Sequence, residues 1–389
     1  MVVELFGYQN VNKGQEMMFH ACREFLETEG LDGAVSITSG SSKVHASYKV
    51  RKRYGLKHLV HIHGDRYPRT SFLINKTGLL LPARFKKALN LVTREDVDVV
   101  FDFSGFQYSD QWGSLATRLM SRSVQSFKSG KKKFIILPQS FGPFENISNR
   151  KNIQIIVDGA DLIFAREETS YNYLISECGN KDAIRIAPDF TNLVESIEIS
   201  QPEIPEGSVF FIPNMRMLDK TDEKCRSAYL PFLAKCVKYT RGKGLLPVIL
   251  LHETLEDISV ANRLISALGF QIPIITHEDP RILKGFIKRA FLLIGSRYHA
   301  LISGLSQSVP TIATGWTHKY GELMKYYGCQ ASLVSPLDPD DTVFAKIDAH
   351  IEGSGRTEIV RRLNASADKH AAASHRMWAE VRRVLYNNE

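Results

Sequence analysis

Short apolar runs alternate along this chain with segments whose apolar residues recur every three to four positions. The run 2–7 (VVELFG) ends at Gly7. In 15–30, Met17, Met18, Ala21, Cys22, Phe25 and Leu26 fall at helical spacing. Asn12 is placed to cap that helix and Gly30 to end it, and 33–38 (GAVSIT) completes a βαβ-like unit. The rhythm returns with strands predicted at 97–105, 134–140, 161–167 and 183–189 and helices around 112–129 and 168–178. Strands alternating with helices imply a largely parallel sheet.

Residues 195–208 (ESIEISQPEIPEGS) carry no sustained periodicity and read as a linker. The alternation then restarts, with strands at 209–214, 245–251, 271–276, 291–295 and 309–314. Helices are predicted near 222–242, 256–269 and 280–289 and from about 298, with a terminal amphipathic helix at 366–386. The expected organisation is an N-terminal α/β domain over 1–194, a linker at 195–208 and a C-terminal α/β domain over 209–365. A C-terminal helix at 366–389 is expected to pack back on the N-terminal domain. Two such halves predict a ligand site in the cleft between them, beyond the carboxyl ends of the strands.

Composition narrows the class. With 43% apolar and 24% charged residues among 389, wholesale disorder is excluded. No apolar run approaches the ~18–20 residues that span a bilayer, and MVVELFGYQN lacks the features of a signal peptide, so a soluble, cytoplasmic protein is expected. Five scattered cysteines without a CxxC pair argue against a disulfide framework and a thiolate zinc site, and no metal is expected. The net charge of +8 suits an anionic partner: nucleic acid, a membrane surface or a phosphorylated small molecule. Residues 43–57 hold six Lys/Arg and 122–133 five, with no acid in either. Both runs fit solvated surface; they also fit attraction to a phosphorylated or lipid-linked ligand, or peripheral contact with an anionic membrane. No recognised nucleic-acid motif accompanies them.

The segment 291–328 carries the most chemistry. A buried strand ends at Gly295, Ser296 is placed to cap the next helix, and Arg297 and His299 lie at or near its N-terminus. Free N–H groups and the dipole favour an anion there. Arg297 can grip a carboxylate or phosphate through two parallel bonds, and His299 has a pKa suited to proton transfer. The same two residues also fit an ordinary helix start.

Four stretches together resemble the polysaccharide pyruvyl transferase family. They are Gly7 with Asn12-Lys13-Gly14; 137–144 (LPQSFGPF); 164–174 (FAREETSYNYL) with Pro188-Asp189; and 295–314 (GSRYHALISGLSQSVPTIAT) with Lys319 after it. The resemblance spans about residues 5–330. It implies a glycosyltransferase-B-like architecture, two Rossmann-like α/β domains facing across a cleft. It also implies transfer of pyruvate from phosphoenolpyruvate to a sugar as a ketal, with phosphoenolpyruvate as co-substrate and no cofactor. One departure stands out: the family's first motif usually continues into Asp-Glu, and here Gly14 is followed by Gln15 and Glu16. That change bears on acceptor choice.

On this resemblance Arg216, Arg297, Ser296 and Lys319 bind the donor, and His299, with Arg297, is catalytic. His299 protonates the enol methylene and later accepts a hydroxyl proton, while Lys319 neutralises departing phosphate; Lys319 fits a solvated surface lysine as well. Asn12, Gly14, Asp102, Gln139 and Ser140 are candidates for an acceptor sugar that is phosphorylated, nucleotide-linked or lipid-linked. Asp102 and Asp110 equally fit turn and cap positions. His61, His63 and Asp65 look superficially like a metal site but lack a further ligand pair. Arg166 and Glu167 fit a helix start or cleft contacts, His252-Glu253 follow another strand end, and Trp316 fits sugar stacking or packing. Two other readings remain: a glycosyltransferase of the same architecture with a nucleotide-sugar donor, and a non-enzymatic binder of anionic lipid or RNA.

Overall fold

The structure, a computed structural model, describes residues 1–8, 12–38, 52, 54–62, 82–200 and 203–386. The chain divides into two compact units, Met1–Phe190 with Ala373–Glu389, and Thr191–Ala372. The first contains β1 (Val2–Phe6), α1 (Lys13–Glu29), β2 (Asp32–Thr38), β3 (Lys57–Ile62), α2 (Ala83–Ala88), β4 (Leu91–Thr93) and β5 (Val99–Asp102). It continues with α3 (Leu115–Ser129), β6 (Lys133–Gln139), α4 (Ile147–Gly159), β7 (Leu162–Ala165), α5 (Glu168–Cys178) and β8 (Ile184–Ile186). Its strands lie in the order β4-β3-β2-β1-β5-β6-β7-β8, every pair parallel.

The second unit contains β9 (Ser208–Ile212), α6 (Arg216–Asp219), α7 (Glu223–Gly242), β10 (Leu246–Leu251), α8 (Thr254–Leu268), β11 (Ile274–Thr276) and α9 (Pro280–Lys288). Then come β12 (Leu292–Gly295), α10 (Tyr298–Leu305), β13 (Thr311–Ala313), α11 (His318–Tyr326) and α12 (Asp340–Ile351). Its sheet is also all parallel, in the order β11-β10-β9-β12-β13. The last helix, α13 (Gly353–Tyr386), starts in the second unit, and its residues from Ala373 belong to the first.

Parallel strands covered on both faces are apolar along nearly their whole length, and VVFD in β5, LIFA in β7 and SVFFI in β9 are buried at every position, with polar residues only at a strand end, Asp102 and Ser208. In each sheet the strand order reverses beside the first strand, between β1 and β5 and between β9 and β12. Such a reversal leaves a crevice at the strands' carboxyl ends. At β1 that end is tightly fixed. Gly7 has φ +101°, and a Cβ there would lie 2.8 Å from the backbone nitrogen of Ser104. Only glycine allows the turn leading to α1 to lie against the residues after β5. Asn12 then caps α1, its side chain accepting from Gln15 N at 3.1 Å, and Gly30 closes the helix at φ 64°.

The boundary between the units falls after Phe190, ahead of the expected linker at 195–208. The reason is local bonding. The buried Lys284 ammonium donates to the carbonyls of Thr191 (3.1 Å) and Val194 (2.7 Å), and Ile197 N donates to Arg281 O at 3.0 Å. These bonds stitch the segment to α9, and Ser208 already belongs to β9. Three lysines of the basic run at 122–133 are likewise put to internal use. Lys128 donates to Asp158 O (3.1 Å), Lys132 to the Val97 carbonyl, and Lys133 to Val384 O (2.6 Å) and Leu385 O (3.0 Å). Burial lowers the Lys132 pKa. Residues 43–51 and 53 of the other run, and His63 and Asp65, lie outside the described residues. Among the described residues no helix is long and apolar enough to cross a membrane.

From Ala373 onward α13 completes the first unit's core. Trp378 stacks on Phe25 (4.3 Å, 13°) and meets Phe190 edge-on (5.6 Å, 84°), and Arg382 pairs with Glu29 at 2.6 Å. Replacing Trp378 by Ala removes this filling and is expected to cost about 3–5 kcal/mol in urea unfolding; a loss under about 1 kcal/mol would show that the helix end is peripheral to that core.

Candidate active site

In the second unit, Gly295 at the end of β12 pairs with Ile212 of β9 on one side and Ala313 of β13 on the other. The segments leaving these strands therefore emerge together, bringing Arg216, Ser296 to His299, and Thr314 to Lys319 to one edge of the sheet. Asp257, in the first turn of α8, organises this edge. Its side chain is fully buried and accepts Arg297 through two bonds, Nε at 2.7 Å and Nη2 at 2.6 Å, and Met215 N at 2.9 Å. Its neighbour Glu256 accepts Arg216 Nη2 at 2.6 Å on one oxygen and Arg297 Nη2 at 3.2 Å on the other. Arg216 also contacts Asp219. Arg216 and Arg297 are thus brought together, and the paired donors expected to grip a ligand from Arg297 are engaged by Asp257. Burial works against the Arg297 charge. Hydrogen bonding and charge from Asp257, with the charges of Glu253 and Glu256, outweigh it and raise the pKa above its ordinary value.

Ser296 does not cap α10. The N-cap is Arg297, without a side-chain capping bond. Ser296 N still donates to Ile212 O at 3.1 Å, so the chain remains strand-like there and the helix begins later. The buried Ser296 hydroxyl lies 2.5 Å from Tyr229 OH, while its carbonyl accepts Asn214 Nδ2 (2.5 Å) and Tyr320 OH (3.0 Å). Ser296 therefore ties the three emerging segments together. Burial raises the pKa of Tyr229, keeping the phenol protonated for this bond.

His299 lies half-buried in the first turn of α10, 5.5 Å from the Tyr298 ring at 85°. Lys319, in the first turn of α11, places its ammonium 5.0 Å from the Tyr298 ring, 5.4 Å from Trp316 and 5.6 Å from Tyr320. Such cation–π contacts hold a lysine in place while leaving its charge intact. Trp316 packs between both core layers of the unit as well as facing Lys319. His252 and Glu253 are buried after β10, with 3.9 Å between His252 Nδ1 and Glu253 Oε1. Two guanidiniums, an imidazole and an ammonium are thus carried by segments leaving adjacent strand ends, with Asp219, Glu256 and Asp257 paired to the guanidiniums.

The first unit places its candidates at the ends of β5 and β6. Asp102 is fully buried and accepts Ser104 N (2.9 Å), Ser104 Oγ (2.5 Å) and Tyr108 OH (2.5 Å). Burial raises its pKa, and the bonds from Ser104 and Tyr108 offset this in part. Gln139 is also fully buried; it adds polar field at Asp102, but neither atom of its amide reaches hydrogen-bonding geometry. Ser140 accepts from Arg166 Nη2 at 2.8 Å and donates to Glu167 Oε2 at 3.0 Å, and Arg166 reaches Asp189 at 2.8 Å. This closed network joins the ends of β6 and β7, so the Ser140 hydroxyl, Arg166 and Glu167 are framework contacts inside the unit. Asp110 is a turn residue, accepting Asn146 N (3.0 Å) and Asn149 Nδ2 (2.6 Å). Asn12 caps α1 with Gly14 buried in its first turn. Gln15 donates to Ser104 O at 3.1 Å, tethering α1 to the Asp102 turn.

Asp257, Glu256 and Tyr229 were not anticipated. Their one local signal is the acidic pair in the helix start that follows the strand-end His252-Glu253. Among the described residues, no group of three or more His, Cys, Asp or Glu is arranged to hold a metal ion.

Two parallel-sheet Rossmann-like units define the fold class as glycosyltransferase-B-like. Solved structures agree. A putative UDP-N-acetylglucosamine 2-epimerase from Listeria monocytogenes superposes with a TM-score of 0.64 at 12% identity, covering 100% of this chain and 97% of that one. Anabaena Alr3699/HepE in complex with UDP gives 0.60 at 10% identity, covering 98% of each chain. A glycosyltransferase from Rickettsia africae gives 0.59 at 16% identity, covering 100% and 99%. At these identities the likeness is one of fold. The sequence profile of the polysaccharide pyruvyl transferase family matches residues 12–318, and the chain belongs to that family. No curated protein matches the sequence.

The Asp102 environment gives a pH test. Because its folded pKa is raised, protonation contributes stability that is fully present below the ordinary carboxylate value of about 3.9 and is lost as pH rises through the raised value. Asp102→Asn keeps one acceptor and one donor, so it is expected to lie within about 1 kcal/mol of wild type at pH 7. Wild type should then gain on the variant as pH falls toward 4. Urea unfolding at several pH values measures this; a wild-type loss relative to the variant on acidification would reverse the assignment.

Proposed function

We propose that this protein transfers pyruvate from phosphoenolpyruvate to a sugar of a polysaccharide or glycan precursor, forming a ketal and releasing phosphate. One observation carries the reading: Arg216 and Arg297, far apart in sequence, converge on the Glu256 carboxylate, at the strand ends from which the segments bearing His299 and Lys319 also emerge. A donor bearing both a carboxylate and a phosphate calls for such a set. Family membership supports the same chemistry.

In the proposed reaction His299 delivers a proton to the enol methylene, making the methyl group and leaving an oxocarbenium-like carbon. A sugar hydroxyl adds to that carbon, and its proton passes to the base form of His299. A second hydroxyl of the same sugar then forms the other C–O bond as the C–O bond to phosphate breaks, its proton leaving with the phosphate. Arg216, Arg297 and Lys319 stabilise the charge on the departing group. Phosphoenolpyruvate is the co-substrate, and no cofactor takes part in the scheme. The acceptor is assigned to the first unit, at the Asn12–Gly14 turn and Gln139, on a frame set by Asp102 and Ser140. We place the reaction in the cytoplasm, in synthesis of an exopolysaccharide or other cell-envelope glycan, with an acceptor that is phosphorylated, nucleotide-linked or lipid-linked; the basic run at 43–57 is the candidate contact with the inner membrane face.

A second reading, glycosyl transfer from a nucleotide sugar, is favoured by solved structures of this fold that contain UDP. Incubation with a lipid-linked glycan mixture and either phosphoenolpyruvate or UDP-glucose separates the two. The first reading expects phosphate release and pyruvate addition to the glycan from phosphoenolpyruvate, with His299→Ala folded and about 10²–10⁴-fold slower. Turnover of UDP-glucose alone contradicts the donor, and normal turnover by His299→Ala contradicts the acid.

A further inference from the structure

The charges around the paired arginines are unusual for an anion site. Arg216 and Arg297 supply two positive charges, and Asp219, Glu256 and Asp257 meet them with three negative ones. The three carboxylates are not equivalent. Asp257 is fully buried and fixed by Arg297 and Met215 N. Among the described residues Asp219 bonds Arg216, at Nη1. Glu256 bonds both arginines, one oxygen to each Nη2, and its side chain is 44% exposed. It can therefore leave for water at modest cost, which Asp257 cannot.

A carboxylate bridging two guanidiniums has the charge and shape of the carboxylate on an enol-phosphate donor, and presents two of the oxygens of a phosphate. We propose that Glu256 is an internal stand-in for the donor's anion, holding Arg216 and Arg297 together and yielding them to the carboxylate or phosphate of the bound donor. The inference rests on the donor-site reading of the second unit. It makes Glu256 a specificity determinant. An incoming ligand must displace an intramolecular carboxylate, so a group that engages one arginine gains little, whereas one that engages both replaces each lost bond. The stand-in also keeps two long, cationic side chains from repelling each other apart, so less ordering remains for the ligand to impose.

The test is equilibrium binding of inorganic phosphate, phosphoenolpyruvate and UDP-glucose to wild type, Glu256→Gln and Glu223→Gln by calorimetry. Glu223 is exposed, paired with Arg226 at 3.1 Å at the start of α7, and reports any effect of deleting a charge elsewhere on the unit. Glu256→Gln is expected to bind phosphate and phosphoenolpyruvate about threefold to tenfold tighter, from removal of a partly exposed competing ion pair, with Glu223→Gln unchanged. Unchanged or weaker binding by Glu256→Gln overturns the proposal, as does an equal gain in Glu223→Gln or an absence of anion binding by all three proteins. Tighter binding of phosphate and UDP-glucose, with no binding of phosphoenolpyruvate, upholds the stand-in and removes the pyruvyl donor. Binding of phosphoenolpyruvate without a gain in Glu256→Gln does the reverse.

Discussion

The ion pair between Asp257 and Arg297 is the contact on which the second unit's candidate site depends. A carboxylate removed from water is costly unless its oxygens are fully employed. Asp257 meets that condition with two bonds to Arg297 and one to the backbone of Met215. In doing so it joins the turn after β9, the start of α8 and the end of β12. Arg297 is aimed, and Arg216 follows because Glu256 beside Asp257 receives it. Ser296 adds a second tie between the same strands through Tyr229, Asn214 and Tyr320. The groups proposed to touch substrate are held by groups that do not.

The first unit solves a similar problem with different residues. The ends of β5, β6 and β7 carry Asp102, Ser140 and Arg166, all buried. Ser104 and Tyr108 satisfy Asp102; Glu167 and Asp189 balance Arg166 through Ser140 and directly. Gln15 fastens α1 to the same place by bonding Ser104 O. Gln15 is therefore part of the framework around Asp102. Gln139 is the exception, a buried carboxamide with no hydrogen bond among the described residues.

What could be read from the sequence followed from range. Alternating apolar runs and helical spacing are local, so β5 to β7, β9 to β13 and the helices at 223–242 and 254–268 were legible to within a few residues. Strand-end positions are legible too, which is what makes Arg216, Arg297 and His299 candidates. β3 was hidden because KHLVHI intersperses Lys and His among its apolar positions, and α4 because ISNRKNIQIIVDG has few apolar residues in its first turns. The partners of the candidate residues were illegible for a different reason. Asp257 lies forty positions from Arg297, and an acidic pair in a first helical turn ordinarily signals only the helix dipole. Nor does spacing tell that Ser296 will face Tyr229 instead of a helix end, or that Lys128, Lys132 and Lys133 will spend their charges on backbone carbonyls.

The central claim is that Asp257 aims Arg297 at an anionic donor. It is tested most directly by the affinity of Asp257→Asn for phosphoenolpyruvate, measured on folded protein. Deleting a negative charge beside an anion site should, by Coulomb's law alone, tighten binding. If the carboxylate acts by holding the guanidinium in place, the variant instead binds about tenfold more weakly, because a neutral amide cannot accept both Arg297 bonds. Equal or tighter binding by Asp257→Asn would contradict the account.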